Sequence, residues 1–513
     1  MNYQKKLLRA LPILVAASGC YESFDDPVNV YDFYDSTALG MSQGVDGRVW
    51  TLRTTWDDEY YNMRAERTDN GGESWEDGFS SGITQLHQTF IHGAILADQS
   101  DAETAYVLRS GQVRDAPGSG DPGPIYNRAS RTTNGGRLWV AMDTWAETGL
   151  YRDFHLAQNP LDGTIVGVFA EADPYYDNIC RVTRSLDGGT TWSEHDYLVN
   201  VISSRHIGVH GLQYTDTGVL VAIFGTANPD PDDPPYWYVK RSLDNGATWS
   251  ALIRINSTTS GYWSYGADLV HMVGETLHAV WSSDVNYKHA YSDDGGLTWS
   301  ENEILSWDLT MGHHLAANAS GTHLMWTYFD FNDFGNNLYH RSFDGTSWSS
   351  ARRMNNRQGS VRGNGGLASD AGEVFLGTWT EYRNNDTFDK KIVSAASDPT
   401  DEQDVAIRMV DSSTFTSTTR GSLIQFEYTV TNYMEEEQTV DVWVGYLGQD
   451  NGINGTLSQF SDQVLAPEES RTYTSRKVVP SRAPYQAYDL TAHVGNAPGD
   501  VWRSDTFVAT VDP

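Results

Sequence analysis

Short apolar runs recur along most of the chain, each following a tight turn. A turn pair such as Asp46-Gly47 or Thr217-Gly218 precedes a run in which most positions are apolar. Apolar runs of this length, bounded by turn residues, are typical of strands that are buried on both faces. Seven such runs are found, at 46–50, 102–108, 162–169, 217–224, 274–281, 321–328 and 372–379. Their spacing of roughly 50 residues predicts an array of similar β-rich units.

A second pattern, Ser/Thr-x-Asp-x-Gly-x-Thr-Trp, recurs between these runs. Clear copies lie at 185–192, 242–249 and 292–299, and altered copies at 68–75, 132–139 and 342–348, the last one residue short. The Asp or Asn can cap a turn, the glycine supplies a positive φ, and the tryptophan buries a large apolar surface. The pattern resembles the Asp-box, or BNR repeat, of the sialidase superfamily. This resemblance implies a β-propeller in which the boxes are scaffold.

Together the two patterns predict an all-β fold. Seven apolar second strands favour a seven-bladed β-propeller over about residues 30 to 400, and six blades plus a stray strand pair are the alternative. Residues 394–398 stand where a further box is expected, but the pattern has been lost there. We therefore assign the propeller to residues 21–400.

The periodicity stops after residue 400. Strand-like runs separated by turn residues follow at 423–433, 439–447, 471–479, 487–494 and 506–511. This pattern predicts a small immunoglobulin-like β-sandwich over 401–513, similar in type to the accessory modules of secreted bacterial proteins. A spacer or clamp role and a carbohydrate-binding role both remain open for it.

The N-terminus is an export signal. A basic stretch at 5–9 precedes an apolar stretch at 11–17, which ends at Ser18-Gly19-Cys20. Residues 1–20 resemble a bacterial lipoprotein signal peptide with Cys20 as the lipidated residue, and cleavage near Ala17 as an ordinary signal is the alternative. We expect a monomeric protein of the bacterial cell envelope or outer membrane, or otherwise a secreted one.

Composition limits the partners. The formal net charge of −33 argues against nucleic acid and against direct docking on anionic lipid, so contact with a membrane is expected only through a lipid anchor. Aromatic residues lie beside carboxylates in the loops after the second strands, as at 56–61, 171–177 and 230–237. Such loops suit a glycan or polysaccharide partner, and their aspartates could bind Ca²⁺.

Candidate chemistry lies on the first strand of each unit, because first strands line the channel of a propeller. Ionisable or hydrogen-bonding side chains recur there in most units. They are Arg152, His155, Arg205, His210, Tyr265, Asp268, His313, His314, Arg362 and Asn364. Converging histidines could also hold Zn²⁺.

Three functions fit these residues. The sialidase resemblance implies a glycoside hydrolase in which Arg152, Arg205 and Arg362 bind a substrate carboxylate and Tyr265 is the nucleophile. The family's Arg-Ile-Pro segment is absent, however, and the predicted inner strand at 37–42 has no arginine.

The second function is a polysaccharide lyase. Some seven-bladed propeller lyases cleave uronate polymers with histidine and tyrosine as base and acid, and with arginine neutralising the uronate. In this hypothesis His210 and His313 transfer protons, and Tyr265 is the acid. The remaining substrate-binding candidates are His155, His314, Asn364 and Asp268.

The third function is a non-catalytic surface lipoprotein that binds glycan or protein. The sequence favours a carbohydrate-active enzyme over this binder, and leaves hydrolase and lyase open.

Overall fold

The computed structural model describes most of the chain after residue 22. The described residues are 23–24, 28–31, 36–56, 61–70, 74–76, 88–113, 125–145, 151–171, 179–194, 196–200, 206–227, 236–256, 266–283, 286–300, 303–306, 310–318, 320–330, 337–343, 345–349, 351–354, 361–369, 375–382, 390–398, 405–410, 417–432, 437–449, 451–467, 469–496 and 500–512. Within them every regular element is a strand, except for one 3-10 turn at Val45–Gly47. No helix in this part of the chain is long and apolar enough to span a membrane.

The first 28 strands form the propeller. In chain order they are β1 (Ser23–Phe24), β2 (Val28–Tyr31), β3 (Ser36–Gln43), β4 (Val49–Trp56), β5 (Tyr61–Thr68), β6 (Gln88–Ala97), β7 (Ala105–Val113), β8 (Ile125–Thr132), β9 (Val140–Trp145), β10 (Tyr151–Gln158), β11 (Ile165–Glu171), β12 (Ile179–Ser185), β13 (Asp196–Asn200), β14 (His206–Tyr214), β15 (Leu220–Ala227), β16 (Trp237–Ser242), β17 (Ile253–Arg254), β18 (Ala267–His271), β19 (Leu277–Ser283), β20 (Asn286–Ser292), β21 (Glu303–Ser306), β22 (Thr310–Ala317), β23 (Leu324–Asp330), β24 (Asn337–Phe343), β25 (Arg352–Arg353), β26 (Val361–Ser369), β27 (Phe375–Tyr382) and β28 (Lys390–Asp398).

These strands form antiparallel blades arranged in a ring. Blade 1 is β3–β5, blade 2 is β6–β9, and blades 3 to 6 are the four-stranded sheets β10–β13, β14–β17, β18–β21 and β22–β25. Blade 7 is β26–β28, with β1 and β2 paired to β28. Each inner strand contacts the inner strand of the next blade, and β26 contacts β3. The β-propeller predicted from the sequence is confirmed, and within the described residues seven inner strands close the ring.

The core lies between the blades. Seven buried clusters each combine side chains from two neighbouring blades, and one of them joins Leu376 of blade 7 to Val49 of blade 1. Cys180 is buried in the cluster between blades 3 and 4. Because the second strands carry apolar side chains on both faces, each blade can pack against two neighbours, which explains the apolar runs in the sequence.

The boxes are tight turns held by their own side chains. In the first clear copy, Oδ1 of Asp187 accepts hydrogen bonds from Oγ of Ser185 at 2.9 Å and from the backbone N–H of Thr191 at 2.8 Å. These bonds, led by the one from the Thr191 backbone, hold the pKa of Asp187 below its usual value. The indole N–H of Trp192 donates to the carbonyl of Gly189 at 3.1 Å, so the ring fixes the turn against its blade.

In two blades, an arginine directly before the box hydrogen-bonds to the box of the next blade. Nη1 of Arg131, in blade 2, donates to the carbonyl of Gly188 in the box of blade 3 at 2.6 Å, and to Oγ1 of Thr190 at 3.3 Å. Arg241 of blade 4 bonds in the same way to the carbonyl of Gly295 in the box of blade 5. These arginines therefore carry hydrogen bonds from blade to blade at the outer side of the ring.

We expect Arg131→Ala to lower the urea midpoint of unfolding, by the equivalent of about 1.5–3 kcal/mol, because a charged donor is removed from a part-buried carbonyl. The matched control is Arg137→Ala, since Arg137 is exposed within the box turn of the same blade. Equal midpoints for the two variants would show that the bond between blades does not stabilise the ring.

Blade 7 corrects one sequence prediction. Residues 394–398 were expected to be a decayed box, but they lie inside β28, where Ser394 pairs with Val28 and Asp398 pairs with Ser23. That prediction is wrong because the outer strands of this blade come from the start of the chain. Strand β28, the third strand of blade 7, is therefore not followed by a box turn leading into a fourth strand of the same blade.

A second group of strands follows the propeller. They are β29 (Val405–Val410), β30 (Ser417–Thr419), β31 (Leu423–Asn432), β32 (Gln438–Gly448), β33 (Asn454–Leu465), β34 (Ser470–Val478), β35 (Ala487–Asn496) and β36 (Asp500–Asp512). They form a three-stranded sheet, β29-β31-β34, and a five-stranded sheet, β30-β36-β35-β32-β33. One buried cluster joins Tyr428 and Tyr473 of the first sheet to Val442 and Val494 of the second, so the two sheets form a β-sandwich. Strands β29, β30 and β33 were not predicted. In β33 seven of the twelve residues are polar and only Leu465 is buried, so it has no apolar run to reveal it.

Candidate functional site

One position is equivalent in all seven inner strands. At this position each inner strand pairs with the fourth residue of the second strand of its blade, for example His155 with Val168 and Asp268 with Val280. The equivalent residues, from blade 1 to blade 7, are Gly40, Ala94, His155, Gly211, Asp268, His314 and Gly366. Four blades thus carry glycine or alanine, and three carry an ionisable side chain.

Irregular backbone precedes this position in most blades. The pairing register shifts directly before Gly40, His155, Gly211, His314 and Gly366. Such β-bulges re-aim side chains and recur beside functional sites. In blade 3 the bulge includes Asp153, whose φ of 53° is rare outside glycine. Two of the histidines predicted from the sequence, His210 and His313, lie within bulges.

All seven equivalent residues line one cavity of about 400 Å³ at the centre of the ring. The lining also includes Asp153, His210, Gln213 and His313. None of the described residues that line this cavity is lysine or arginine. The ionisable groups at this depth of the channel are therefore histidines and carboxyls.

Asp268 joins two blades at the cavity wall. Its Oδ1 accepts the backbone N–H of Leu269 and its Oδ2 accepts the N–H of Leu315 in blade 6, both at 2.8 Å. Nδ1 of His314 lies 3.9 Å from Oδ2, and 21% of the Asp268 side chain is exposed. Dense surrounding protein desolvates the carboxylate and raises the pKa of Asp268 to about 7, although the two N–H groups oppose this shift.

Two of the histidines around the cavity are held neutral. Burial lowers the pKa of His155 to about 4, a shift partly offset by the ring's hydrogen bond to the backbone carbonyl of Val209. Burial, together with the nearby His314 and His210, lowers the pKa of His313 to about 3. Neither ring nitrogen of His313 makes a hydrogen bond of good geometry among the described residues, although the carbonyl of Ala267 is near. At neutral pH these two rings are uncharged hydrogen-bonding groups and weak bases.

His210 is held by packing. Its ring contacts the Trp237 ring edge-on, with centroids 5.1 Å apart, and the indole N–H of Trp237 donates to the carbonyl of Ser282 in blade 5 at 3.1 Å. A Cβ at Gly208 would lie 2.6 Å from Nε2 of His210, so only glycine leaves room for this ring orientation. Neither Trp237 nor Gly208 was predicted from the sequence as a partner of His210.

The structure brings together His155, His210, Asp268, His313 and His314 around one cavity. Three other predicted residues lie on inner strands: Arg152 on β10, and Arg362 and Asn364 on β26, all nearer the start of the strand than the cavity position. Arg205 and Tyr265 lie outside the described residues, although β14 begins at the residue after Arg205. The roles given to all ten residues stay predictions.

The sequence held one signal for the cavity position that was missed. A large aliphatic residue follows it in every blade, as in His155-Leu156, Asp268-Leu269 and Gly366-Leu367. The complete set is Met41, Ile95, Leu156, Leu212, Leu269, Leu315 and Leu367. Aligning the chain on this residue would have revealed the glycines that face the histidines and Asp268.

The sequence left Ca²⁺ and Zn²⁺ open as possible ligands. Among the described residues, no three or more His, Cys, Asp or Glu side chains are grouped so that they could hold a metal ion. The acidic loops 57–60, 172–178 and 228–235 lie outside the described residues.

Comparisons with known proteins give similarities of fold only. No protein-family model matches the chain, and no curated protein matches it. Among solved structures, a protein of unknown function from Dyadobacter fermentans is 11% identical with a TM-score of 0.46, over 74% of this chain and 98% of its own. An ulvan lyase bound to a GlcA(1-4)Rha3S glycan is 11% identical with a TM-score of 0.49, over 71% and 95%. The alpha-L-arabinanase of Penicillium chrysogenum, complexed with arabinobiose, is 12% identical with a TM-score of 0.42, over 60% and 94%.

Proposed function

We propose that this protein is a glycan-cleaving enzyme whose reaction depends on proton transfer at Asp268. The observation that carries the proposal is the carboxyl of Asp268, which has a pKa of about 7 and shares one cavity with His155 and His314. A group that titrates near the working pH can accept and return a proton efficiently. This assignment moves proton transfer away from His313, because a pKa of about 3 makes that ring a weak base.

Elimination from a uronate-containing glycan fits these groups best. The base removes the proton on the carbon next to the carboxylate, the electron pair forms a C=C bond, and the bond to the leaving oxygen breaks as an acid protonates that oxygen. Asp268 is the base in this scheme, and the neutral ring of His155 hydrogen-bonds sugar hydroxyls. A cation is needed to stabilise the developing charge. We assign that role to Arg152, Arg205 and Arg362, and the acid to Tyr265, as in the sequence analysis.

Hydrolysis is the second candidate, favoured by one observation. Asp153 and Asp268 both line the cavity, so two acidic residues share the same space. Paired carboxyl groups are the usual machinery of glycosidases, one acting as the acid and the other as nucleophile or base. Hydrolysis needs no proton removed from carbon and leaves no double bond, so its products differ from those of elimination.

A product screen separates these functions. The mature chain, residues 21–513, is incubated with sialylated, uronate-containing and neutral glycans, with and without Ca²⁺, Zn²⁺ or a chelator. New reducing ends accompanied by absorbance from a C=C bond would establish elimination, and reducing ends alone would establish hydrolysis. No product on any glycan, together with measurable glycan binding, would support a non-catalytic surface protein instead.

We also propose that the chain is exported and anchored through a lipid on Cys20, as the signal at 1–20 suggests. Cys20→Ala is expected to move the protein from the membrane fraction to the soluble fraction, because two acyl chains give stable anchoring and a bare protein of net charge −33 has no attraction for anionic lipid. Cys180→Ala is the control, since Cys180 is buried between blades. Equal membrane fractions for both variants would contradict the anchor.

A further inference from the structure

A hydrogen-bonded chain of two histidines and one tryptophan crosses the seam between blades 5 and 6. Nδ1 of His278 and Nε2 of His289 are 2.8 Å apart, and the two rings are stacked within 14° of parallel. The indole N–H of Trp348, in blade 6, reaches Nδ1 of His289 at 3.3 Å. All three side chains are at least nine-tenths buried.

The indole fixes the position of every proton in this chain. An indole N–H can only donate, so Nδ1 of His289 is an acceptor and its proton is on Nε2. That proton is donated to Nδ1 of His278, whose own proton is therefore on its Nε2. A further proton on either acceptor nitrogen would place two donors face to face and break one of the two hydrogen bonds.

The shortened box of blade 6 explains why the chain exists. In the clear boxes the indole N–H bonds within its own turn. There Trp192, Trp249 and Trp299 each donate to a glycine carbonyl of the same box. The copy at 342–348 is one residue short. The tryptophan of this copy donates instead to His289 of the neighbouring blade. The indole bond therefore joins two blades at this box, whereas in the clear boxes it stays within one turn.

Among the described residues, aromatic rings from two strands pack on this pair. Tyr291 stacks on His278 from β20, and Phe343 packs against both rings from β24. On β21, Glu303 is in backbone register with His289, and on β24 the guanidinium of Arg341 donates to the carbonyls of Leu305 and Ser349. Burial and the nearby His289 lower the pKa of His278 to about 3, in agreement with an environment that opposes protonation.

We propose that His278, His289 and Trp348 form an acid-sensitive latch that holds blade 5 to blade 6. A proton added at Nδ1 of His289 would break the bond to Trp348 and release the tryptophan of blade 6 from blade 5, so the folded state resists protonation and acid weakens the seam. The inner edge of the same seam holds Asp268 through the N–H of Leu315. The proposal concerns the seam itself and does not depend on the reaction proposed above.

The test uses Trp348→Phe, which keeps an aromatic ring but removes the N–H. In this variant Nδ1 of His289 is free to take a proton while Nε2 still donates to His278. The unfolding midpoint should therefore fall by several degrees at pH ~7.5. This deficit should shrink at pH ~5.5, because the folded variant can then gain a proton that the folded wild type resists. Trp192→Phe is the matched control, because its indole bonds a carbonyl and its deficit should be the same at both pH values.

Imidazole NMR of the unsubstituted protein gives a second, independent readout. At pH ~7.5, protons on Nε2 of both His278 and His289 are expected. A proton on Nδ1 of His289, or the same pH dependence for Trp348→Phe and Trp192→Phe, would overturn the latch. The NMR result remains decisive if Trp348→Phe does not fold.

Discussion

Asp268→Asn is expected to lower kcat/KM by about 10²–10⁴-fold on whichever glycan the protein cleaves, because the variant cannot exchange a proton. In the wild type, activity should rise with pH through about 7, as the carboxyl of Asp268 becomes the carboxylate that accepts a proton. The inflection near pH 7 should vanish in Asp268→Asn. Turnover measured across this pH range on the substrate found in the screen tests both effects.

Asp196→Asn is the matched control for this exchange. Asp196 is an exposed residue of β13, at the outer edge of blade 3 and away from the cavity, so activity should be unchanged. Asparagine at 268 can accept only one of the two backbone N–H groups, so folding of that variant must be checked by unfolding midpoint. A folded Asp268→Asn with full activity would remove Asp268 from the mechanism.

Acidification from pH ~7 to ~5 is expected to cost the protein about 3 kcal/mol of stability. His155, His278 and His313 have folded pKa values of about 4, 3 and 3, below the unfolded value near 6.5. Their stabilisation is complete above pH ~6.5 and is lost as the pH falls, because only the unfolded chain then gains protons. At pH ~5 the contribution of each histidine to the free energy of unfolding has fallen by about 2 kcal/mol, roughly 6 kcal/mol in total.

Asp268 has the opposite sign. Its folded pKa of about 7 lies above the unfolded value, so the native state takes up a proton first and is stabilised by about 2.5 kcal/mol over the same interval. The net loss is therefore about half of the histidine contribution. Urea midpoints measured between pH ~7 and ~5 test the sum, and Asp268→Asn should make the loss steeper. A midpoint that stays constant or rises on acidification would show that the buried histidines are protonated in the native state.

The sequence predicted the scaffold better than the site, for physical reasons. The box is a local structure in which Ser185, Asp187 and Trp192 bond within one turn, so its residues determine its geometry. The apolar second strands likewise follow from burial on both faces. By contrast, the bulges that place His210 and His313 depend on one extra residue against a neighbouring strand, and no residue type marks them.

The pKa shifts of the site residues could not be predicted from the sequence, because they depend on hydrogen-bond partners from other blades. The N–H of Leu315 that holds Asp268 comes from blade 6, and the carbonyl that holds His155 comes from Val209 in blade 4. The shortened box at 342–348 was visible in the sequence, but its bond to His289 was not. The spacing of a repeat identifies the single blades, whereas the hydrogen bonds that set these pKa values form between blades.

The pairing of β1 and β2 with β28 determines when the propeller can be completed during synthesis. These strands come from opposite ends of the propeller's stretch of sequence. Their contact therefore closes the longest loop of the propeller and carries the largest loss of chain entropy. Blades 2 to 6 consist of consecutive hairpins that can form as the chain emerges, but blade 7 must wait for Lys390–Asp398. Until then the strands at the start of the chain have no partner in blade 7, which exposes unpaired edges to other chains. The ring therefore stays open until the last strand of blade 7 has been synthesised.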